Sequence, residues 1–484
     1  KSYVVASDAA NTLAGSVGAG SNTNNVVVEL KDVASVKGFG STFGDGTIVS
    51  STVTNLTNAT IDLAALATSS NLDYTGFAMA TLAVNGTLAA NTNTTKFANL
   101  AASAELVVNS TGGNAHLGLL ETTQVGASGK NSLTVTQATN ATTINRLTVN
   151  GDALVQFKNG GQALTVSELV DATNTVNTVQ VGAGAGTTTI SKITGTALTN
   201  INTVNATGTV ALGVSASDAI AQNNVKFDLA VGQAATIFAS GTGDTFVQGS
   251  ATTSGNGAVN LTATGANNTI TLSNGGNTIV ANGAGNTISV GTGSNTITAT
   301  GADVKFNVAS GVGTTSITVG TNATVNIGTA NTANTGAETI IVDRAVTGGT
   351  ADNFAKTTIS FATGVAATGT VIDFDATVNT AAFSLLGTNM ANSQVNVASA
   401  TSLTEALNLA ANYTLLVQNQ GTAATAAANL LAANTGEITW FQYGGDTYVV
   451  AMVNDTVAAV QQTALDANDI VVKLVGLHDL TGAN

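Results

Sequence analysis

A beat of nine residues runs through the middle of this chain. The triplets Asn268-Thr269-Ile270, Asn277-Thr278-Ile279, Asn286-Thr287-Ile288 and Asn295-Thr296-Ile297 recur at that constant spacing, each after a Gly-rich step. A short fixed period marks stacked rungs. In this reading each Ile turns inward, and Asn and Thr stack on copies of themselves in columns that each lie along one face. One buried Ile per rung cannot offset the entropy of ordering the rest of it. Main-chain ladders and stacked amides must supply part of the difference. The block is therefore expected to continue into strands on both sides, not to be a free linker. Such a unit suits an extended, rigid material better than a catalyst.

Composition supports thin β layers. The chain of 484 residues has no Pro, no Cys and 53 Gly, a length that allows about three domains. Charged residues are 8% and aromatics 4%, against roughly 25% charged in ordinary domains. A hydrophobic share of 43%, mostly small and β-branched, favours stacked strands over one thick core or a disordered chain. The net charge of −14 comes from 27 acidic and 13 basic residues with no basic stripe. Nucleic acid is thus a poor partner. An acidic surface suits a Ca²⁺-rich exterior, and equally serves solubility alone. No run of about 18 apolar residues offers a membrane-spanning helix. The opening Lys1-Ser2-Tyr3-Val4 has neither Met nor an apolar h-region, so either a part precedes it or export uses another signal.

Along the chain, residues 1–235 read as repeated β modules. Their strands include Val26–Leu30, Leu82–Val84, Leu106–Val108, Leu133–Val135 and Leu147–Val149. A loose motif begins at Val53, Phe97, Ile144 and Ile201. Leu164–Val170 fits a helix of a turn or two or the end of a strand, with the helix slightly favoured. Residues 236–335 hold the beat and a looser continuation at Ser316–Val319 and Thr324–Ile327, read as rungs of a parallel β-roll or β-helix. Residues 336–400 are a β segment. Residues 401–484 form a small α+β C-terminal module. Ser402 and Glu405 suggest a capping box before a helix, and Ala423–Ala433 a second helix. The runs Ile438–Tyr443 and Thr447–Val453 flank a Gly444-Gly445 hairpin turn, and Asp469–Gly476 is a last strand. The fold class is mainly β: a multi-domain array of β-sandwich or β-solenoid modules.

Gly241-Thr242-Gly243-Asp244-Thr245-Phe246, Gly283-Ala284-Gly285-Asn286-Thr287-Ile288 and Gly293-Ser294-Asn295-Thr296-Ile297 resemble degenerate RTX repeats. That family binds Ca²⁺ between the rungs of a β-roll, and Asn stands here where its Asp belongs. The stack is thus expected to keep β-roll-like geometry without its metal. The tail, Gly436–Val450 and Asp469–Leu480, resembles the C-terminal end of type I-secreted S-layer and RTX-like surface proteins of Gram-negative bacteria. The resemblance implies an ABC-type export channel read from the last residues, folding outside the cell in Ca²⁺, and self-assembly into a two-dimensional lattice. It also implies anchoring to lipopolysaccharide through a part outside this sequence.

Catalysis has little to work with. His116 and His478 are the only histidines, far apart in sequence, and without Cys a His/Cys zinc site is impossible. No Gly-x-Ser-x-Gly elbow stands out on a strand–helix turn. Asp373 and Asp375 alternate on one strand face, but a hydrolytic pair also needs a substrate platform. Ca²⁺ is the better use of carboxylates. Asp45, Asp244 and Asp303 sit in Gly-rich turns beside backbone carbonyls, and with Asp373 and Asp375 they are the candidate ligands. Ordinary Asx turns place Asp in the same way. The expected function is a non-enzymatic lattice subunit with itself and Ca²⁺ as partners. The alternatives are a fibre-forming adhesin or biofilm-matrix protein and, more weakly, the non-catalytic part of a secreted hydrolase.

Overall fold

The structure is a computed structural model. It describes residues 131–328 apart from 138, 151, 183, 250–256 and 310–312. It also describes 338–342, 356–362, 370–374, 382–385, 393–418, 435–453, 464–465 and 469–481, and seven short strands ahead of residue 123. The chain is mainly β, with 5% helix, and divides into two units, residues 1–244 and 245–484. Both wind as parallel β-solenoid, and residues 134–342, counted over both, make about eight turns.

In the first unit, strands Asn131–Gln137, Asp152–Asn159, Thr178–Val181, Asn200–Asn202 and Lys226–Leu229 pair in parallel, each with the next. A second ladder runs through Thr142–Val149, Leu164–Val166, Thr188–Ile190 and Val210–Leu212 to Ala235–Ala239. Thr178, Asn200 and Lys226 are successive partners, so a coil takes 22 to 26 residues. Along each strand buried and half-buried positions alternate, as in Thr178–Val181 and Leu164–Val166. Phe157, Val179, Ile201 and Phe227 fill the interior with no solvent exposure. The loose motif does not mark equivalent places. Phe97 and Ile144 lie on one ladder and Ile201 on the other, while Val53 lies outside the described residues.

Leu164–Val170 is not a helix. It forms two strands, Leu164–Val166 and Leu169–Asp171, on either side of a bend. The coil beneath decides this. Leu164 aligns with Thr142 and Leu169 with Leu147, and the Ser167 N–H donates to the Ile144 carbonyl at 2.9 Å. A ready-made parallel edge outweighs a weak helical tendency. At the bend, Glu168 stands 3.6 Å from Arg146 and 3.8 Å from Lys192, a short column of alternating charge.

In the second unit the nine-residue beat is half a coil. Thr269 pairs with Thr287 on one ladder, and Thr278 with Thr296 on the other. A full coil is therefore 18 residues, and successive triplets fall on alternate sheets. This corrects the single-face expectation: the Asn and Thr columns are two each. Ile270, Ile279, Ile288 and Ile297 do point inward, at 0–1% exposure. The first ladder continues through Lys305–Val308, Thr324–Ile327 and Lys356–Phe361. The second continues through Thr315–Val319 and Glu338–Val342 to Val371–Asp373.

The C-terminal module extends the first of these ladders. Strand Ile470–Leu474 pairs in parallel with Lys356–Phe361 and antiparallel with Asp446–Val453, which forms a hairpin with Thr435–Tyr443. Gly444 and Gly445 turn it at φ 62° and 91°, values that side-chain-bearing residues rarely adopt. Helix α1 (Leu403–Gln418) lays Ala406, Leu407, Ala410 and Ala411 on Phe441, Tyr448, Val450 and Val471. The capping box forms with one variation. Ser402 Oγ accepts the Glu405 N–H at 3.1 Å, while Glu405 Oε2 accepts from the N–H and hydroxyl of Thr401. Val26–Leu30 and Ala423–Ala433 lie outside the described residues.

Candidate functional site

The chemistry of this chain concentrates at the corners where each half-coil turns into the next strand. Asn268, Asn277, Asn286 and Asn295 are 0–2% exposed there. The amides of Asn277, Asn286 and Asn295 each bond in two directions. Oδ1 of Asn286 accepts the Asn268 N–H at 2.7 Å, one coil back. Oδ1 of Asn277 accepts from Val259 at 3.1 Å, and that of Asn295 from Asn277 at 3.2 Å. The Nδ2 groups point into their own Gly-rich turns. Asn286 donates to the carbonyls of Ala281 and Gly283, and Asn295 to those of Gly291 and Gly293. Turn carbonyls gathered in this way suit a hard cation. The neutral amide NH₂ occupies that place here, which accounts for Asn in a Ca²⁺-type frame.

The glycines follow from the stacking of these turns. A Cβ on Gly283 would stand 1.9 Å from the Gly265 carbonyl oxygen one coil below, and on Gly293 2.3 Å from that of Gly275. The residue just before each corner on the first ladder is left-handed: Asn267 at φ 60°, Gly285 at 68°, Asp303 at 59° and Asn322 at 61°. Gly, Asn and Asp are the residues that adopt this conformation most readily.

The five candidate carboxylates meet different fates. Asp303 belongs to the left-handed column. It is exposed, and its Oδ1 accepts from Asn322 Nδ2 at 3.1 Å. Asp244 is fully buried at a corner of the first unit. Its Oδ1 accepts the Val225 N–H at 2.9 Å, the bond Asn286 makes to Asn268. Burial raises its pKa to about 6, against hydrogen bonds from Val225 and Asn224 that lower it. Asp373 is exposed on strand Val371–Asp373. Asp45 and Asp375 lie outside the described residues. Among the described residues no three His, Cys, Asp or Glu side chains gather into a metal site.

The tail forms a polar clasp that sequence reading did not anticipate beyond its hairpin turn. Asp446 Oδ2 lies 2.7 Å from Lys473 Nζ, and its Oδ1 accepts the Gly476 N–H. The Lys473 hydrogen bond, then that of Gly476, holds the Asp446 pKa below its ordinary value. Thr447 Oγ1 accepts the His478 N–H at 2.8 Å, and Gln442 Nε2 donates to the His478 carbonyl at 2.9 Å. The His478 ring meets Phe361 edge-on with centroids 5.6 Å apart. The clasp pins residues 476–478 over the end of the hairpin. Among the described residues no helix is long and apolar enough to cross a membrane. No protein-family model matches this chain, and no curated protein matches it either.

Proposed function

We propose that this chain is a structural subunit of a bacterial surface layer, self-assembling outside a Gram-negative cell into a two-dimensional lattice with Ca²⁺. The observation that carries this reading is the in-register solenoid with amide-filled corners. Each coil repeats the last at about 4.8 Å, and the buried amides tie strand to turn and coil to coil. The result is a stiff element presenting the same side chains at regular intervals, suited to periodic contact. The C-terminal resemblance adds type I export. In this reading the chain is not an enzyme.

Ca²⁺ acts on the fold or on contacts between subunits through exposed carboxylates such as Asp303 and Asp373, not through the Asn corners, whose carbonyls already accept amide protons. Ligand-linked stabilisation amounts to about 2.7 kcal/mol at a hundredfold excess over Kd. The test is EGTA treatment of purified sheets, followed by electron microscopy and a melting curve. Dispersed sheets or a lowered Tm are expected. Intact sheets with an unchanged melting curve would remove Ca²⁺ from the proposal. A regular lattice on intact cells supports the subunit reading, and sparse fibres favour the adhesin.

A further inference from the structure

The two outward faces of the second unit's solenoid differ. On the first ladder Lys305 and Lys473 share one outward column with Thr287, Thr324 and Thr358. The neighbouring column is tied into itself. Asn307 Nδ2 donates to Ser289 Oγ at 3.1 Å, Asn326 Nδ2 to Asn307 Oδ1 at 2.9 Å, and Ser360 Oγ to Asn326 Oδ1 at 2.6 Å. That face is charged, and its polar groups are engaged.

The face of the second ladder carries no charge across its rungs from Asn260 to Thr339. Thr278, Thr296 and Thr339 lie in one column, and Val280, Thr298 and Ile341 in the other. Thr278 and Thr296 are exposed, and Val280 and Ile341 point outward although apolar. The nearby Glu338 is buried, and the first carboxylate on the face itself is Asp373, one rung beyond. Apart from Asn260 and Ser316, every outward position on these rungs is Thr, Val or Ile, so methyl groups ridge most of the surface at rung spacing.

We propose that this threonine face is where two copies of the chain meet, face against face. The proposal rests on the lattice reading above and names the contact that reading requires. Charge selects the occupant. A chain of net charge −14 repels its copies over a screening length of about 8–10 Å. The copies approach most easily where neither surface carries charge. Identical ridges at one spacing interdigitate with themselves, as paired β faces do, and a two-fold axis brings like residues together near the centre. Size sets the strength. Four rung steps of about 4.8 Å and about 7 Å between columns give a patch on the order of 130 Å². A stable dimer needs roughly 800 Å² per partner. A single contact is therefore too weak to hold a dimer in dilute solution, and it acts where an array engages many at once.

The test compares two double variants of the full chain. Thr296→Lys with Thr298→Lys charges one rung of the threonine face. Thr269→Lys with Thr271→Lys does the same to the other ladder. Assembly in calcium chloride is followed by light scattering and electron microscopy, with circular dichroism as the check on folding. The expected result is that wild type and the second variant form sheets while the first, equally folded, loses assembly at least tenfold in critical concentration. A second measurement does not depend on that variant folding. The chain has no Cys, so Thr296→Cys is expected to give a disulfide-linked dimer on mild oxidation of assembled protein, and Thr269→Cys is not. Normal assembly of the first variant, or no cross-link at position 296, overturns the face while leaving the lattice reading intact. Failure of wild type to assemble at all overturns both.

Discussion

Asp244 shows how one atom changes the physics of a corner. The corners of Asn268 and Asn286 receive an NH₂ that donates to turn carbonyls. In the first unit the equivalent place holds a carboxyl group, with its second oxygen turned toward Gly241. The raised pKa of about 6 has a definite sign. Between pH 3.8 and 6 the unfolded chain gives up this proton more readily than the folded one, so stability falls as pH rises through that window. Above it the penalty is complete, and a gap of about two pH units corresponds to roughly 3 kcal/mol. Asp244→Asn supplies the amide found at the other corners. It is expected to raise stability at pH 7.5 by up to about 3 kcal/mol and to change little at pH 4. Urea melts at the two pH values check this, and an equal effect at both would sink the explanation. This corner was legible in the sequence. Asp244-Thr245-Phe246 aligns with Asn286-Thr287-Ile288, whereas Asp303 aligns with Gly285. Grouping both as turn carboxylates hid the one-residue offset that buries the first and exposes the second.

At the level of the coil, two kinds of substitution separate interior packing from turn stacking. Ile279 and Ile288 are fully buried on opposite sheets, so exchanging both for Asp places a carboxylate in each apolar column. A loss of at least about 4 kcal/mol is expected, read as a collapsed melting transition and abolished assembly. If that double variant still assembles, the inward assignment is wrong. Gly283→Ala adds one methyl, yet its Cβ would meet the Gly265 carbonyl at 1.9 Å, whereas on Gly276 the nearest atom, Ser294 O, is 3.2 Å away. Gly283→Ala is expected to destabilise by more than about 1 kcal/mol, and Gly276→Ala by less, in matched denaturant melts. Equal effects would show that close stacking of the turns does not limit the coil. Strands, inward Ile residues and the Gly444-Gly445 hairpin could be read in advance because local periodicity and turn chemistry encode them. The beat gave its period but not whether nine residues close a coil or half of one, since that depends on how the corners bend. Leu164–Val170 stayed open between helix and strand because the coil beneath it, not its own sequence, supplies the pairing that decides for strand.

For the whole chain, the C-terminal module has a mechanical role that must be separated from the export role proposed for it. Strand Ile470–Leu474 covers the edge of Lys356–Phe361, aligning Thr358 with Lys473 and Ile359 with Leu474. The antiparallel hairpin then covers the other side of that last strand. An uncovered solenoid edge is a template for uncontrolled pairing. The module therefore ends the ladder as well as resembling an export signal. Deleting Ile438–Asn484 is expected to give two effects: retention in the cytoplasm, and aggregation of the purified fragment as Lys356–Phe361 loses its cover. The clasp separates them. Asp446→Asn removes the charge facing Lys473 but leaves an oxygen for the Gly476 N–H, so it loosens residues 476–478 without stripping the edge. The lowered Asp446 pKa means that its ion pair strengthens the wild type above the ordinary Asp range and is lost as pH falls through the folded pKa. Asp446→Asn is thus expected to lower Tm at pH 7, to lose that deficit as pH falls through the folded pKa of Asp446, and to remain soluble and exported. An aggregating Asp446→Asn protein would show that the clasp itself guards the edge. A soluble, exported deletion of Ile438–Asn484 would show that the module neither caps the solenoid nor carries the signal.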